Sequence, residues 1–178
     1  MPSLSPTSTH AQEADGHQLL SVGVLAADLV GYSELISEDP QRVIAVLRDS
    51  RTELIEAIRA HGGSVMQTPG DFVLATFADA ESLLPGALEA QARLLAHHHL
   101  GKSARSGHWK IGLEYGEVHL VGGDCYGTAI NVAARLQALA APGEVWFTAA
   151  VPRRRVRVCP PCLGFRSRSN LPSPPAVS

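Results

Sequence analysis

The order of elements predicted from the sequence, β-α-α-β-β-α-β-β-α-β, assigns the chain to the α+β class. Three observations carry that prediction. A continuous run of small and apolar residues lies near the N-terminus, two pairs of short apolar runs have hairpin signals, and the segments between them keep helical apolar spacing. Hairpins alternating with helical crossovers suggest a ferredoxin-like sandwich, with helices packed on a mainly antiparallel sheet.

Each element has its own signal. Leu20 to Ala27 is almost entirely small or apolar and ends at Asp28, the pattern of a strand buried on both faces. Gly31 to Ile36 suggests a short helix. Glu38-Asp39-Pro40 then opens a longer one, because proline is tolerated in a first helical turn. Val43, Leu47, Leu54 and Ile58 share one face of that helix, and His61-Gly62-Gly63 closes it. Ser64 to Thr68 and Phe72 to Phe77 are apolar runs joined through Pro69-Gly70-Asp71, a hairpin signal. Asp79 can cap the next helix, where Leu84, Leu88 and Leu95 keep helical spacing up to His97-His98-His99. Lys102 to Gly107 reads as a loop. Trp109 to Tyr115 and Glu117 to Val121 form a second expected hairpin around Gly116. Thr128 to Ala140 is a helix, Pro142-Gly143 a turn, and Glu144 to Thr148 a last strand.

Composition bounds the rest. A chain of 178 residues with 45% apolar residues suits one folded domain with appendages. Residues 1–18, rich in Ser, Thr and Pro, read as a flexible lead-in, and 19–151 as the domain. Residues 152–178 hold half of the twelve prolines and no periodic segment, and read as a disordered tail. All 17 acids and 9 of the 15 bases lie in residues 1–151, net −8, whereas the last 27 residues hold six arginines and no acid. An acidic body argues against nucleic acid as a partner. Three cysteines (Cys125, Cys159 and Cys162) exclude a disulfide scaffold and fit a reducing compartment. Leu19 to Val30, the longest apolar stretch, falls short of the ~20 residues of a membrane span. No Lys or Arg precedes Arg42, so a secretory signal with a basic start is not expected. A soluble, cytoplasmic protein is the expectation.

Several residues can carry chemistry. Asp28 and Asp71 sit where strands end, and side by side in a sheet they bring two carboxylates to one edge. Hard cations such as Mg²⁺ take carboxylate oxygens and share the site with substrate phosphates. The plainer alternative is a strand-end cap and a turn former. Leu29-Val30-Gly31-Tyr32-Ser33 turns a strand into a helix through a glycine, and its backbone N–H groups can cradle phosphate. Asn131 and Arg135 are four apart on a helix of small and apolar residues. They suit recognition of ribose and phosphate, or are simply two polar surface residues. Cys159-Pro160-Pro161-Cys162 has zinc-like spacing without a second ligand pair nearby.

Three stretches in order, GVLAADLVGYSELI, HGGSVMQTPGDFVLATF and IGLEYGEVHLVGGDCYGTAINVAARLQALAAPGEVWFT, resemble the class III nucleotidyl (adenylate/guanylate) cyclase catalytic domain. The resemblance runs from about Ser21 to Val151. It implies that Asp28 and Asp71 hold two Mg²⁺ or Mn²⁺ ions per site and that Leu29 to Ser33 contacts phosphate. It also implies that Asn131 and Arg135 orient the ribose and stabilise the reacting phosphorus, and that Gln67 and Asp124 read the purine. In the family the metal aspartates and the Asn/Arg pair of one site come from different domains. A chain carrying both sets implies a head-to-tail homodimer with two sites. The implied reaction is ATP, with GTP as the second candidate, to the 3′,5′-cyclic monophosphate and pyrophosphate, in intracellular signalling.

The chain also departs from the family pattern. The purine-reading position is lysine in most adenylate cyclases and glutamate in guanylate cyclases, and here it is Gln67. Pro69 replaces a residue that pairs in the hairpin, and Phe72 stands where a small residue is common. Past Val151 the family continues with a helix, strands and a phosphate-contacting lysine, whereas no lysine follows Lys110 here. A truncated or frame-shifted C-terminal part is the expectation for that segment. The alternative function is a catalytically degenerate domain that dimerises or binds nucleotide without turnover.

Overall fold

A computed structural model gives the structure of the chain, describing residues 17–99 and 108–152, with the backbone alone at 97–99 and 165–167. Most of the lead-in, the expected loop 102–107, the side chains of the three histidines, both distal cysteines and nearly all of the expected tail lie outside the described residues.

Seven strands form one sheet in the order β2-β3-β1-β4-β6-β7, with β5 pairing on β4. The central strand β1 (Gln18–Leu29) lies antiparallel between β3 (Phe72–Phe77) and β4 (Trp109–Val121). Beyond β3, β2 (Gly63–Gln67) is also antiparallel, while β6 (Val145–Phe147) runs parallel to β4. From Val22 to Leu29 almost every residue of β1 is buried, as expected of a strand covered on both faces. Its first four residues are exposed.

The two faces alternate along β1 because successive side chains of a strand point to opposite sides. Leu25, Ala27 and Leu29 join Leu54, Ile58, Leu83, Leu84, Trp109 and Phe147 in the larger core. That core lies under α2 (Pro40–Ala60) and α3 (Ala80–His99). Val24 and Ala26 join Leu74, Val118, Ala129 and Ala133 in a smaller core beneath α4 (Thr128–Leu139). Each fully buried large side chain contributes about 1.5–3 kcal/mol. Helix α2 follows its sequence signals. Pro40 occupies the first turn, the Asp39 carboxylate accepts from the Arg42 N–H at 3.1 Å, and Val43, Leu47, Leu54 and Ile58 are all buried. Asp79 likewise caps α3, accepting from the Glu81 N–H and the Ser82 hydroxyl.

Two expectations are corrected. Gly116 does not turn the chain: it pairs with Val22 inside an unbroken β4, and a Cβ there would lie 3.3 Å from the Ala129 methyl on α4. The hairpin lies further on, where Gly122 and Gly123, with φ of 60° and 92°, connect β4 to β5 (Asp124–Tyr126). Two consecutive positive φ values suit a tight antiparallel hairpin and favour glycine at both positions. The expected tail contains a short strand, β7 (Phe165–Ser167), parallel to β6. Three residues are too few to show periodicity in sequence.

Helix α4 sits unusually close to the sheet. A Cβ on Gly112 would lie 2.1 Å from the Ala133 carbonyl oxygen and 2.4 Å from the Gln137 nitrogen, so only glycine lets the helix settle there. This contact fixes which face of α4 touches β1.

Candidate active site

Asp28 is the penultimate residue of β1, on the face covered by α4, opposite Phe72 of β3 and Lys110 of β4. Asp71 immediately precedes Phe72, so strand pairing brings the two carboxyls together, and a hydrogen bond links them. Two residues that the sequence reading missed complete the surroundings. Lys110 lies beside Asp28 across the β1–β4 ladder, and the buried Gln137 of α4 hydrogen-bonds its carboxyl. The Arg51 guanidinium of α2 donates to the Gly70 carbonyl and so ties down the turn that carries Asp71.

Burial, and then the neighbouring Asp71 charge, raise the Asp28 pKa from its ordinary 3.8 to about 6; Lys110 and the Gln137 hydrogen bond oppose the rise. A raised carboxyl pKa means that the folded state holds the proton more tightly than the unfolded state does. Stability is therefore lost as pH rises from about 4 through 6. In metal-free protein, Asp28→Asn should stabilise the fold by about 1–2 kcal/mol at pH 7.5 and hardly at all near pH 4, since partial solvent access limits the effect. Melting temperatures at the two pH values check this; an Asp28→Asn variant melting no higher than wild type at pH 7.5 would contradict it.

The turn expected to meet phosphate is only partly open. Leu29 is buried, Tyr32 packs against the larger core, and the Val30 N–H already donates to the His108 carbonyl at 2.9 Å. Gly31 caps α1 (Tyr32–Glu38) in a left-handed conformation, and the Tyr32 and Ser33 N–H groups open its first turn, where a helix provides no acceptor.

Gln67 and Asp124 are brought together from β2 and β5. The Gln67 side-chain nitrogen donates to one Asp124 carboxylate oxygen at 3.2 Å, and the Tyr126 hydroxyl lies 3.3 Å from the other. Cys125, next to Asp124 on β5, points into the core, where burial raises its thiol pKa. It reads as an anchor for β5.

Asn131 and Arg135 are both exposed on α4, with no hydrogen bond or ion pair to either side chain among the described residues. They do not meet Asp28. Two residues along an α-helix is a rotation of about 200°, so Gln137, which touches Asp28, and Arg135 lie on opposite sides of α4. One chain thus presents the carboxyl pair and the Asn/Arg pair in different directions.

The fold is shared with known proteins. The crystal structure of an adenylate/guanylate cyclase/hydrolase from Silicibacter pomeroyi is 36% identical, with 71% of this chain and 74% of that one covered at a TM-score of 0.65. The chain belongs to the class III adenylate/guanylate cyclase catalytic-domain family. An adenylate cyclase of Glutamicibacter nicotianae is 34% identical over 120 residues, 67% of this chain and 28% of that one. A Rhizobium meliloti (strain 1021) protein bearing an adenylate cyclase name is 33% identical over 123 residues and is spanned for 21% of its length. This class III domain therefore corresponds to a minor part of these curated relatives. The guanylyl cyclase domain of a Blastocladiella emersonii fusion protein, at 19% identity and a TM-score of 0.67, shows the same fold. No protein-family model matches the chain. Among the described residues no helix is long and apolar enough to cross a membrane.

Proposed function

We propose that this cyclase domain converts ATP to 3′,5′-cyclic AMP and pyrophosphate at a site shared by two copies of the chain, in the cytoplasm. The observation that carries this reading is the divergence just described. A carboxyl pair and an unpartnered Asn/Arg pair face different ways in one protomer, and a head-to-tail pair of protomers lets one set meet the other twice.

The residues fit the implied metals. Asp28 and Asp71 supply only hard oxygen donors, and burial followed by the neighbouring Asp71 charge makes ionised Asp28 costly, a cost that a bound cation would offset. Among the described residues no third His, Cys, Asp or Glu joins them, which suits Mg²⁺ or Mn²⁺ completed by substrate phosphate and water. When bound, two such ions would neutralise the triphosphate and ease deprotonation of the ribose 3′-hydroxyl. The 3′-oxygen bonds to the α-phosphorus while the bond to the bridging oxygen breaks, and pyrophosphate carries away the electron pair. Arg135 places a guanidinium against the charge that builds on the α-phosphate, and Asn131 holds the ribose so that the 3′-oxygen is in line. Lys110, beside Asp28, adds a further cation at the same edge.

Asp124, when ionised, can only accept, so it suits the 6-amino group of adenine and repels the O6 of guanine. Gln67 can donate to adenine N1, but its carbonyl can also accept from guanine N1–H. The expected outcome is ATP preferred with imperfect rejection of GTP. Gln67→Lys should sharpen that preference, because an ammonium group has donors and no acceptor. Purified protein incubated with ATP or GTP and Mg²⁺ or Mn²⁺, followed by chromatography of the products, gives kcat/KM for each. Cyclic AMP as the main product supports the reading. Nucleotide bound without cyclic product would favour a regulatory domain instead.

A further inference from the structure

The carboxylate of Asp124 is engaged on both oxygens before any nucleotide arrives. Because an ionised carboxylate only accepts, Gln67 must present its NH₂ group to one oxygen, at 3.2 Å, and Tyr126 its hydroxyl proton to the other, at 3.3 Å. Asp124 and Tyr126 are two apart on β5 and so project from the same face of the strand, while the intervening Cys125 is buried. The spacing of Asp124 and Tyr126 is thus set by the strand rather than by a mobile loop. Tyr126 itself is 56% exposed, so its ring fills no core position and its hydroxyl is free to serve the site.

We propose that Tyr126 is a positioning residue for purine selection: its hydroxyl holds the Asp124 carboxylate as the acceptor for the 6-amino group of an adenine nucleotide. The proposal rests on the reading of Gln67 and Asp124 as the purine pair. Two donors approaching from different elements fix the carboxylate in one rotamer, leaving its remaining lone pairs for the base. A preorganised acceptor loses less freedom when the amine binds than a carboxylate that must be ordered at that moment. The same arrangement works against a 6-keto purine. If the Tyr126 hydroxyl turns to donate to O6 it abandons Asp124, whose carboxylate then faces O6 with one donor fewer to offset its charge.

The test is Tyr126→Phe, which removes one oxygen from an exposed ring and leaves the strand unchanged. The full chain is measured in two ways: kcat and KM for ATP and for GTP, and equilibrium competition of ATP and GTP against a fluorescent N-methylanthraniloyl-ATP probe. The expected result is a drop of about three- to ten-fold in the ATP-over-GTP ratio by both measures. The loss should appear in KM for ATP, with kcat within about two-fold of wild type. In an Asp124→Ala background the same substitution should have no further effect on the binding ratio, because its target is gone. An unchanged or higher ATP-over-GTP ratio in Tyr126→Phe would overturn the proposal, as would an equal loss in both backgrounds. A wild-type chain that binds nucleotide without cyclising it removes the catalytic reading while the binding ratio still decides the role of Tyr126. A chain that binds neither nucleotide overturns both.

Discussion

Asp28→Ala and Asp71→Ala should each lower cyclic-nucleotide formation by about 10²-fold or more. Each removes a carboxylate from the only hydrogen-bonded carboxyl pair identified at the end of β1 among the described residues. The triphosphate brings several negative charges to an edge that already carries two aspartates, with Lys110 beside Asp28. Losing one metal ligand there leaves both the attacking oxygen and the departing pyrophosphate poorly compensated. The fold should survive, since neither side chain belongs to the core and Asp28 is held at a cost in stability. A melting curve beside each rate measurement separates the two effects. A folded Asp28→Ala or Asp71→Ala protein with the wild-type rate in Mg²⁺ would rule out the carboxylate pair as the metal site.

Arg135→Ala should also cost about 10²-fold, in kcat rather than in KM, because a guanidinium placed against developing charge acts chiefly in the transition state. Arg135 has no partner in its own chain among the described residues, so its removal breaks no internal contact. Stability should stay within about 0.5 kcal/mol of wild type, as for other surface substitutions. Full activity in the alanine variant would leave the exposed Asn/Arg pair without a catalytic role.

Much of this was legible from residues alone, and the reasons differ by element. Strand β1 declares itself because both faces are buried from Val22 onward, and α2 because Asp39 and Pro40 start it and four apolar residues line one face. Asp28 and Asp71 were found as strand-end carboxylates, and antiparallel pairing of β1 with β3 is what brings them together. Other features depend on tertiary geometry. Gly116 mimics a turn in sequence, yet its role is to let α4 approach an unbroken strand, whereas the true turn is the Gly122-Gly123 pair. Lys110 joins the site only through the β1–β4 register, which no local pattern reveals. Gln137 did leave a signal. It stands on the buried stripe of α4 with Ala129, Ala133 and Leu136, where an amide needs a partner, and Asp28 provides it. The Gln67–Asp124 contact joins residues 57 positions apart, beyond a register shift in β2 after Val65, and neither feature leaves a local pattern.

The most direct test of a site shared between two chains is to mix two inactive proteins, Asp28→Ala and Arg135→Ala, and measure cyclic AMP formation. In a head-to-tail heterodimer one site receives both substitutions and the other receives neither. With free subunit exchange at equal amounts, half of the dimers are mixed and half of their sites are intact. Recovery to about a quarter of the wild-type rate is therefore expected. A mixture that stays as inactive as its components, with subunit exchange shown by differently tagged chains, would contradict it.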